Sequence, residues 1–159
     1  MKSVLYIMIG IPGSGKSYFA QKMREYIDSL YVSRDAVRLS IIKDDEHYFS
    51  HEKQVFNRFV QLVYDGLTNG QDVIADATHL NFPSRRKLVT ALEKLGLSTK
   101  DYYIVYVVMK TPMTTCIERD AKRIGRAHVT EEVIRDFGRN FRVPTRTEFD
   151  NVIGVCTVK

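Results

Sequence analysis

A chain of 159 residues can bury one hydrophobic core and not two, so one domain is expected over 1–159. Its 44% hydrophobic and 27% charged content excludes a disordered chain, and no apolar run has the length of a membrane span. A net charge of +5 favours polyanions or nucleotides as partners, while two cysteines, Cys116 and Cys156, exclude a disulfide scaffold and suit reduced thiols in a cytoplasmic protein.

The run VLYIMI at 4–9 reads as a buried strand rather than a leader peptide, because it is short and feeds directly into a glycine-rich turn. KSYFAQKMREYIDSL, at 16–30, has helical spacing with Phe19, Met23 and Ile27 on one face. A short strand around LYVS leads into RDAVRLSII. The segment 51–70 repeats Val55, Phe56, Phe59, Leu62 and Val63 at helical spacing and ends on Asn69-Gly70. DVIADAT reads as another buried strand. FPSRRKLVTALEKLG opens with a proline near the helix start and closes on a glycine. YYIVYVVM is the most β-prone run of the chain. MTTCIERDAKRI and TEEVIRDFGRNF read as helices on either side of GRAH, and NVIGVCTV as a closing strand. Strands alternating with helices imply an α/β fold: a parallel sheet with helices on both faces, joined by right-handed crossovers.

The turn Gly10-Ile11-Pro12-Gly13-Ser14-Gly15-Lys16-Ser17 satisfies GxxxxGK[ST] at every fixed position, between a predicted strand and a predicted helix. Glycines let successive backbone N–H groups turn onto phosphate oxygens, and the helix behind adds its positive end. Lys16 can reach the β- and γ-phosphates of ATP, and the Ser17 hydroxyl can ligate Mg²⁺. Tyr18 follows directly and is grouped with the nucleotide contacts.

Ligands of open α/β sheets bind beyond the carboxyl ends of the strands. Asp35, at the end of the second strand, can accept a proton from an attacking hydroxyl, and Arg38, one turn on, can hold an anionic group of the acceptor. The alternative is that Ser33 or Asp35 caps a helix and Arg38 is a surface residue; spacing leaves both open. Asp76 ends DVIAD at a strand tip and is expected to support Mg²⁺. Thr78, His79 and Asn81 follow as candidate acceptor contacts, with His79 a second candidate base. His47, His51 and His128 read as surface residues. Residues 119–146 carry eight basic and four acidic side chains, most of the net charge. Within them Arg119, Arg123 and Arg126 suit a helical lid, about 119–130, that closes over ATP and neutralises charge during transfer.

Together GIPGSGKS, SRDAVR, VIADATHLN, RDAKRIGRAHV and FRVPTRTEFD, which span most of the chain, resemble the P-loop kinases of the polynucleotide 5′-hydroxyl kinase family. Their Asp-x-x-Arg and Asp-x-Thr elements are shared with zeta-toxin-like small kinases. The resemblance implies a three-layer P-loop kinase fold with a five-stranded parallel sheet. It implies Asp35 as general base for a 5′-hydroxyl of RNA or DNA, and Arg38 as contact to an acceptor phosphate. It implies Arg123 on the ATP phosphates and Arg119 near the adenine. His79 stands where the family often has asparagine, and with no appended phosphatase domain expected in a chain of this length, 3′-phosphatase activity is not expected. Two other functions fit the same residues: a kinase for a nucleoside or nucleotide sugar, and an ATPase module without an acceptor. Oligomeric state is left open.

Overall fold

The computed structural model describes residues 1–125 and 128–159. Its strands are β1 (Val4–Ile9), β2 (Ser29–Ser33), β3 (Asp72–Asp76), β4 (Tyr103–Met109) and β5 (Val152–Val158). They form one sheet in the order β2-β3-β1-β4-β5, every neighbouring pair parallel. The helices are α1 (Lys16–Arg24), α2 (Arg34–Ile41), α3 (Glu52–Thr68), α4 (Phe82–Lys94), α5 (Met113–Ala121) and α6 (Glu131–Asn140). This is the α/β arrangement expected from the alternating pattern, with the five parallel strands that the resemblance implies.

Alternation along the strands divides the core in two. On β1, Leu5, Ile7 and Ile9 pack with Phe59 and Val63 of α3 and Leu88 and Leu92 of α4. Met8 points to the opposite face and packs with Ala20 of α1, Ile74 of β3 and Val107 and Met109 of β4. Helices therefore cover both faces, which explains why the central strands read as continuous apolar runs. A third, smaller cluster of Ile11, Cys116 and Ile134 lies where α5 and α6 meet the glycine turn.

Two helices end earlier than their spacing predicts. α1 stops at Arg24, because Ser29 already pairs with Asp72 at the start of the β2–β3 ladder. α5 stops at Ala121, because Asp120, almost fully buried, turns its carboxylate onto the backbone N–H groups of Val129 (3.0 Å) and Thr130 (3.1 Å) and so reels the returning chain in. Among the described residues no helix is long and apolar enough to cross a membrane.

One buried ionic cluster holds the late segment FRVPTRTEFD against the sheet. Arg85 of α4, 1% exposed, makes a two-pronged contact with Glu148 at 2.9 and 2.6 Å and also donates to the carbonyl oxygen of His79 at 2.8 Å. Tyr106 of β4 donates to the same Glu148 carboxylate at 2.8 Å. Burial, then that carboxylate, raises the tyrosine's pKa, so the phenol keeps its proton and remains a donor. Glu148→Ala leaves a buried guanidinium unpaired and is expected to destabilise the protein by about 3–5 kcal/mol in urea unfolding; a loss below about 1 kcal/mol would mean that water replaces the carboxylate.

Candidate active site

β1 delivers the chain into the glycine turn, and the turn delivers it into α1. Gly10 N–H bonds the carbonyl of Thr78 at 3.1 Å, tying the start of the turn to the strand tip beside it. Gly13 and Gly15 have φ of 81° and 91°, left-handed values that suit glycine. A Cβ on Gly13 would stand 2.5 Å from the carbonyl oxygen of Cys116, so α5 backs the turn too closely for a side chain. Thr111 Oγ1 donates to the Ser14 carbonyl at 2.7 Å from the same side. Ser14 Oγ is buried with no hydrogen-bond partner among the described residues. A polar atom in that state, within a glycine turn at a helix N-terminus, fits a phosphate oxygen.

Lys16 Nζ donates to the Ile11 carbonyl at 3.2 Å. Burial lowers its pKa, Asp76 and Asp35 pull it back up, and Arg123 lowers it again. The lysine thus feels the carboxylates of two different strand ends and a cation from the chain beyond α5. Ser17 Oγ donates to Asp76 Oδ2 at 2.7 Å, and the Tyr31 hydroxyl of β2 donates to the same oxygen. Burial, then the Asp76 bond, pushes Tyr31 up to about 12, which keeps it a proton donor. Among the described residues no three histidine, cysteine or acidic side chains cluster as a metal cage. A hydroxyl paired with one carboxylate is instead the donor set that suits Mg²⁺, which takes few protein ligands and completes its shell with phosphate oxygens and water.

At the end of β2, Ser33 caps α2, its Oγ accepting from Ala36 N–H at 3.2 Å. The cap therefore falls to Ser33 and leaves the Asp35 carboxylate available, with its side chain 74% exposed. Arg38 is not a surface residue: it is 5% exposed. Its guanidinium grips Glu52 at the start of α3 (2.7 and 3.1 Å) and donates to Asp35 Oδ1 at 2.6 Å. The Tyr48 hydroxyl donates to that same oxygen at 2.9 Å. Burial works to lower the Arg38 pKa, but Glu52 and Tyr48 outweigh it and the net shift is upward. Burial raises Glu52, and the hydrogen bonds and charges of Arg38 and Arg34 bring it below the usual carboxylate value.

His79 and Asn81 both make structural hydrogen bonds. His79 is buried at φ 47°, its Nδ1 2.8 Å from the Met8 carbonyl and its ring against Phe59. It lies behind the glycine turn and offers an acceptor no face; burial lowers its pKa to about 4, too low for an effective base at neutral pH. Asn81 caps α4 in a reciprocal pair with Ser84 (3.1 and 3.2 Å). Tyr18 is 72% exposed on the outer side of α1, with Lys22 Nζ 5.9 Å from its ring centre. Thr78 is half-buried at the strand tip and bonds Gly10 through its backbone.

On the α5 side, Arg119 Nη1 lies 3.3 Å from the Gly13 carbonyl and 3.4 Å from where a Cβ of Gly15 would be, so this side chain reaches the glycine turn. Arg123, partly exposed, lies 3.9 Å from the buried Asp120 carboxylate. Arg126 lies outside the described residues. His128 is exposed as expected, with Nδ1 2.9 Å from Asp120. Sequence reasoning missed Tyr31, Glu52, Tyr48, Thr111 and the bridging use of Asp120. Each had a sufficient local reading, as a strand aromatic or a helix-start acid, and only the tertiary fold pairs them with the site.

The family model AAA_33, described as AAA domain, matches residues 5–144. A protein of the Autographa californica nuclear polyhedrosis virus, provisionally named a bifunctional polynucleotide kinase/RNA ligase, is 23% identical over 163 residues, covering 94% of this chain and 22% of its own length. Among solved structures, a chain of the Pnkp1/Rnl/Hen1 RNA repair complex superposes with a TM-score of 0.75 at 27% identity, covering 94% of this chain and 47% of that one. A fungal RNA kinase superposes with a TM-score of 0.65 at 14% identity over 100% of this chain and 75% of its own, a likeness of fold. The chain thus spans about a fifth to a half of the first two relatives' length.

The His79 environment makes stability acid-sensitive in a definite direction. Its folded pKa lies below the unfolded value, so its contribution is complete above about pH 6.5 and is lost as pH falls towards about 4. At about 1.4 kcal/mol per unit the loss reaches roughly 3 kcal/mol. Denaturation series at pH 7.5 and pH 5 are expected to show a smaller drop for His79→Asn than for the parent; equal drops would place the acid sensitivity elsewhere.

Proposed function

The chain belongs to the AAA domain family, and on that footing we propose that it is an ATP-dependent kinase transferring the γ-phosphoryl group to the 5′-hydroxyl of RNA or DNA. The observation that carries the reading is Asp35. It is an exposed carboxylate, relieved of helix capping by Ser33 and held from one side by Arg38 and Tyr48. An ATPase without an acceptor has no use for a base so oriented. The kinase names of the viral protein and of the fungal structure support the same direction, as does the RNA repair complex.

In this reading the glycine turn and Lys16 hold the ATP phosphates, and Ser14 Oγ gains a phosphate partner. Ser17 and Asp76 would hold Mg²⁺, which supplies charge neutralisation at the β- and γ-phosphoryl oxygens. Tyr31 fixes the Asp76 carboxylate by occupying one of its lone pairs, leaving the rest to face the turn. The acceptor hydroxyl gives its proton to Asp35 as its oxygen bonds to the γ-phosphorus, and the bond to the β,γ-bridging oxygen breaks to release ADP. Arg119 backs the turn, and Arg123 and Arg126 neutralise charge from a lid of about 119–130, which excludes competing water. Arg38 sets the base in place, and its contact with an acceptor phosphate requires that phosphate to share it with Glu52. A reducing, cytoplasmic setting suits the two free thiols, Cys156 being exposed.

Label transfer from γ-labelled ATP tests this directly. Wild type is expected to label 5′-hydroxyl oligonucleotides and not 5′-phosphorylated ones. Asp35→Asn is expected to lose about 10²–10⁴-fold in transfer rate while binding ATP as before. Near-normal transfer by the variant removes Asp35 as the base; label on a nucleoside or sugar alone changes the acceptor.

A further inference from the structure

Resting on the acceptor just proposed, we propose that Phe49 is a stacking platform for the 5′-terminal nucleobase of the polynucleotide and so sets preference for a base-bearing acceptor. The residue lies in the connection between α2 and α3, within a stretch whose spacing reads as packing rather than as lining the acceptor site. Its ring packs edge-on against Tyr48, with centroids 4.9 Å apart at 85°. The Arg38 guanidinium lies 4.7 Å from the Tyr48 ring centre and 5.2 Å from that of Phe49. Arg38 in turn touches Asp35 Oδ1 at 2.6 Å. The chain of contacts from base to platform is therefore carboxylate, guanidinium, aromatic ring.

Exposure by itself says little, since isolated apolar side chains are common on surfaces. Position and surroundings give it meaning. Phe49 is 53% exposed, so Tyr48 and Arg38 use only part of the ring. In a polynucleotide, only the terminal ribose separates the 5′-oxygen from its base, so a hydroxyl at Asp35 brings the base into the vicinity of this ring. The residues just before it, Asp44, Asp45 and Glu46, are acidic and disfavour a phosphate-binding surface there. A π-face recognises a base without recognising phosphate, and stacking tolerates any base. Tyr48, by contrast, has its hydroxyl committed to Asp35 and serves as the fixed wall that orients Phe49.

The test compares two 5′-hydroxyl oligonucleotides, identical except that one has an abasic 5′-terminal nucleotide. Their KM values are measured for wild type, Phe49→Ala and Phe49→Trp. Wild type is expected to prefer the base-bearing substrate by about tenfold or more in KM, the scale of one stacked base. Phe49→Ala is expected to collapse that ratio towards one, and Phe49→Trp to restore it. In parallel, 2-aminopurine at the 5′ end is expected to be quenched on binding to wild type and much less on binding to Phe49→Ala. If the alanine variant slows turnover on both substrates alike and keeps the ratio, Phe49 merely supports Arg38 and the proposal falls. Equal KM values for the two substrates with wild type overturn the proposal while leaving the polynucleotide kinase intact. Failure of wild type to label either oligonucleotide overturns the kinase reading itself, and this inference with it.

Discussion

The parallel register between β1, β2 and β3 is the constraint on which the site depends. Asp76 pairs with Met8 on one side and with Ser33 on the other. That alignment brings the glycine turn, the Asp76 carboxylate and the start of α2 to one level at the carboxyl edge of the sheet. A slip of β3 by one residue would turn Asp76 to the opposite face, into the layer packed by α3 and α4, carrying Ile74 with it and parting Asp76 from Tyr31 of β2. Apolar burial on both faces forbids such a slip, because it would expose one set of side chains and bury another. The hydrophobic core therefore positions the chemistry as well as stabilising the chain.

Charge is handled differently on the two sides of the site. Around the glycine turn the chain is backed closely by Cys116, and Thr111 holds the Ser14 carbonyl. Around Asp35 the work is done by side chains. A buried arginine without a partner is strongly disfavoured, so the Glu52 contact is a condition for Arg38 to sit inside the protein at all. Once there, the guanidinium has one nitrogen directed at Asp35 and its face against two aromatic rings. Glu52 is also the first residue of α3, where the helix dipole favours an acid. One carboxylate thereby serves the helix, the arginine and, through the arginine, the proposed base.

Much of this was legible in the sequence because it depends on local chemistry. The parallel sheet covered on both faces followed from alternation and the glycine turn from its spacing, and Asp35 and Asp76 were readable as carboxylates at strand ends. What escaped was pairing across long separations. Arg85 reads as one more basic helix residue until Glu148, 63 positions on, is folded against it. Asn81 and His79 show a related limit: each lies in a loop that reads as an acceptor contact, yet Asn81 caps a helix and His79 packs in the core. The histidine satisfies a buried carbonyl, and that demand is invisible without the neighbouring strand. Asp35 survived the same competition only because Ser33 took the cap.

The division between a backbone cradle and a side-chain acceptor region explains how one fold serves unrelated acceptors. The cradle recognises phosphates, which do not vary, so its geometry is tied to the sheet. The α2–α3 connection is joined to the core chiefly through Arg38 and Glu52, and its outer residues pack on one another rather than on the sheet. Substitution there alters what lies beside Asp35 at little cost to the fold. On the proposed reading, acceptor choice in this chain is concentrated in a short stretch, His47-Tyr48-Phe49, in which His47 and Phe49 are exposed and Tyr48 is half-buried against the Arg38 guanidinium. A sugar offers such rings a weaker and narrower stacking surface than a nucleobase does. On the proposed reading, the same aromatic stretch that shields the Arg38 guanidinium from water also biases the site toward polynucleotide ends, so protecting the base's partner and choosing the substrate are consequences of one arrangement.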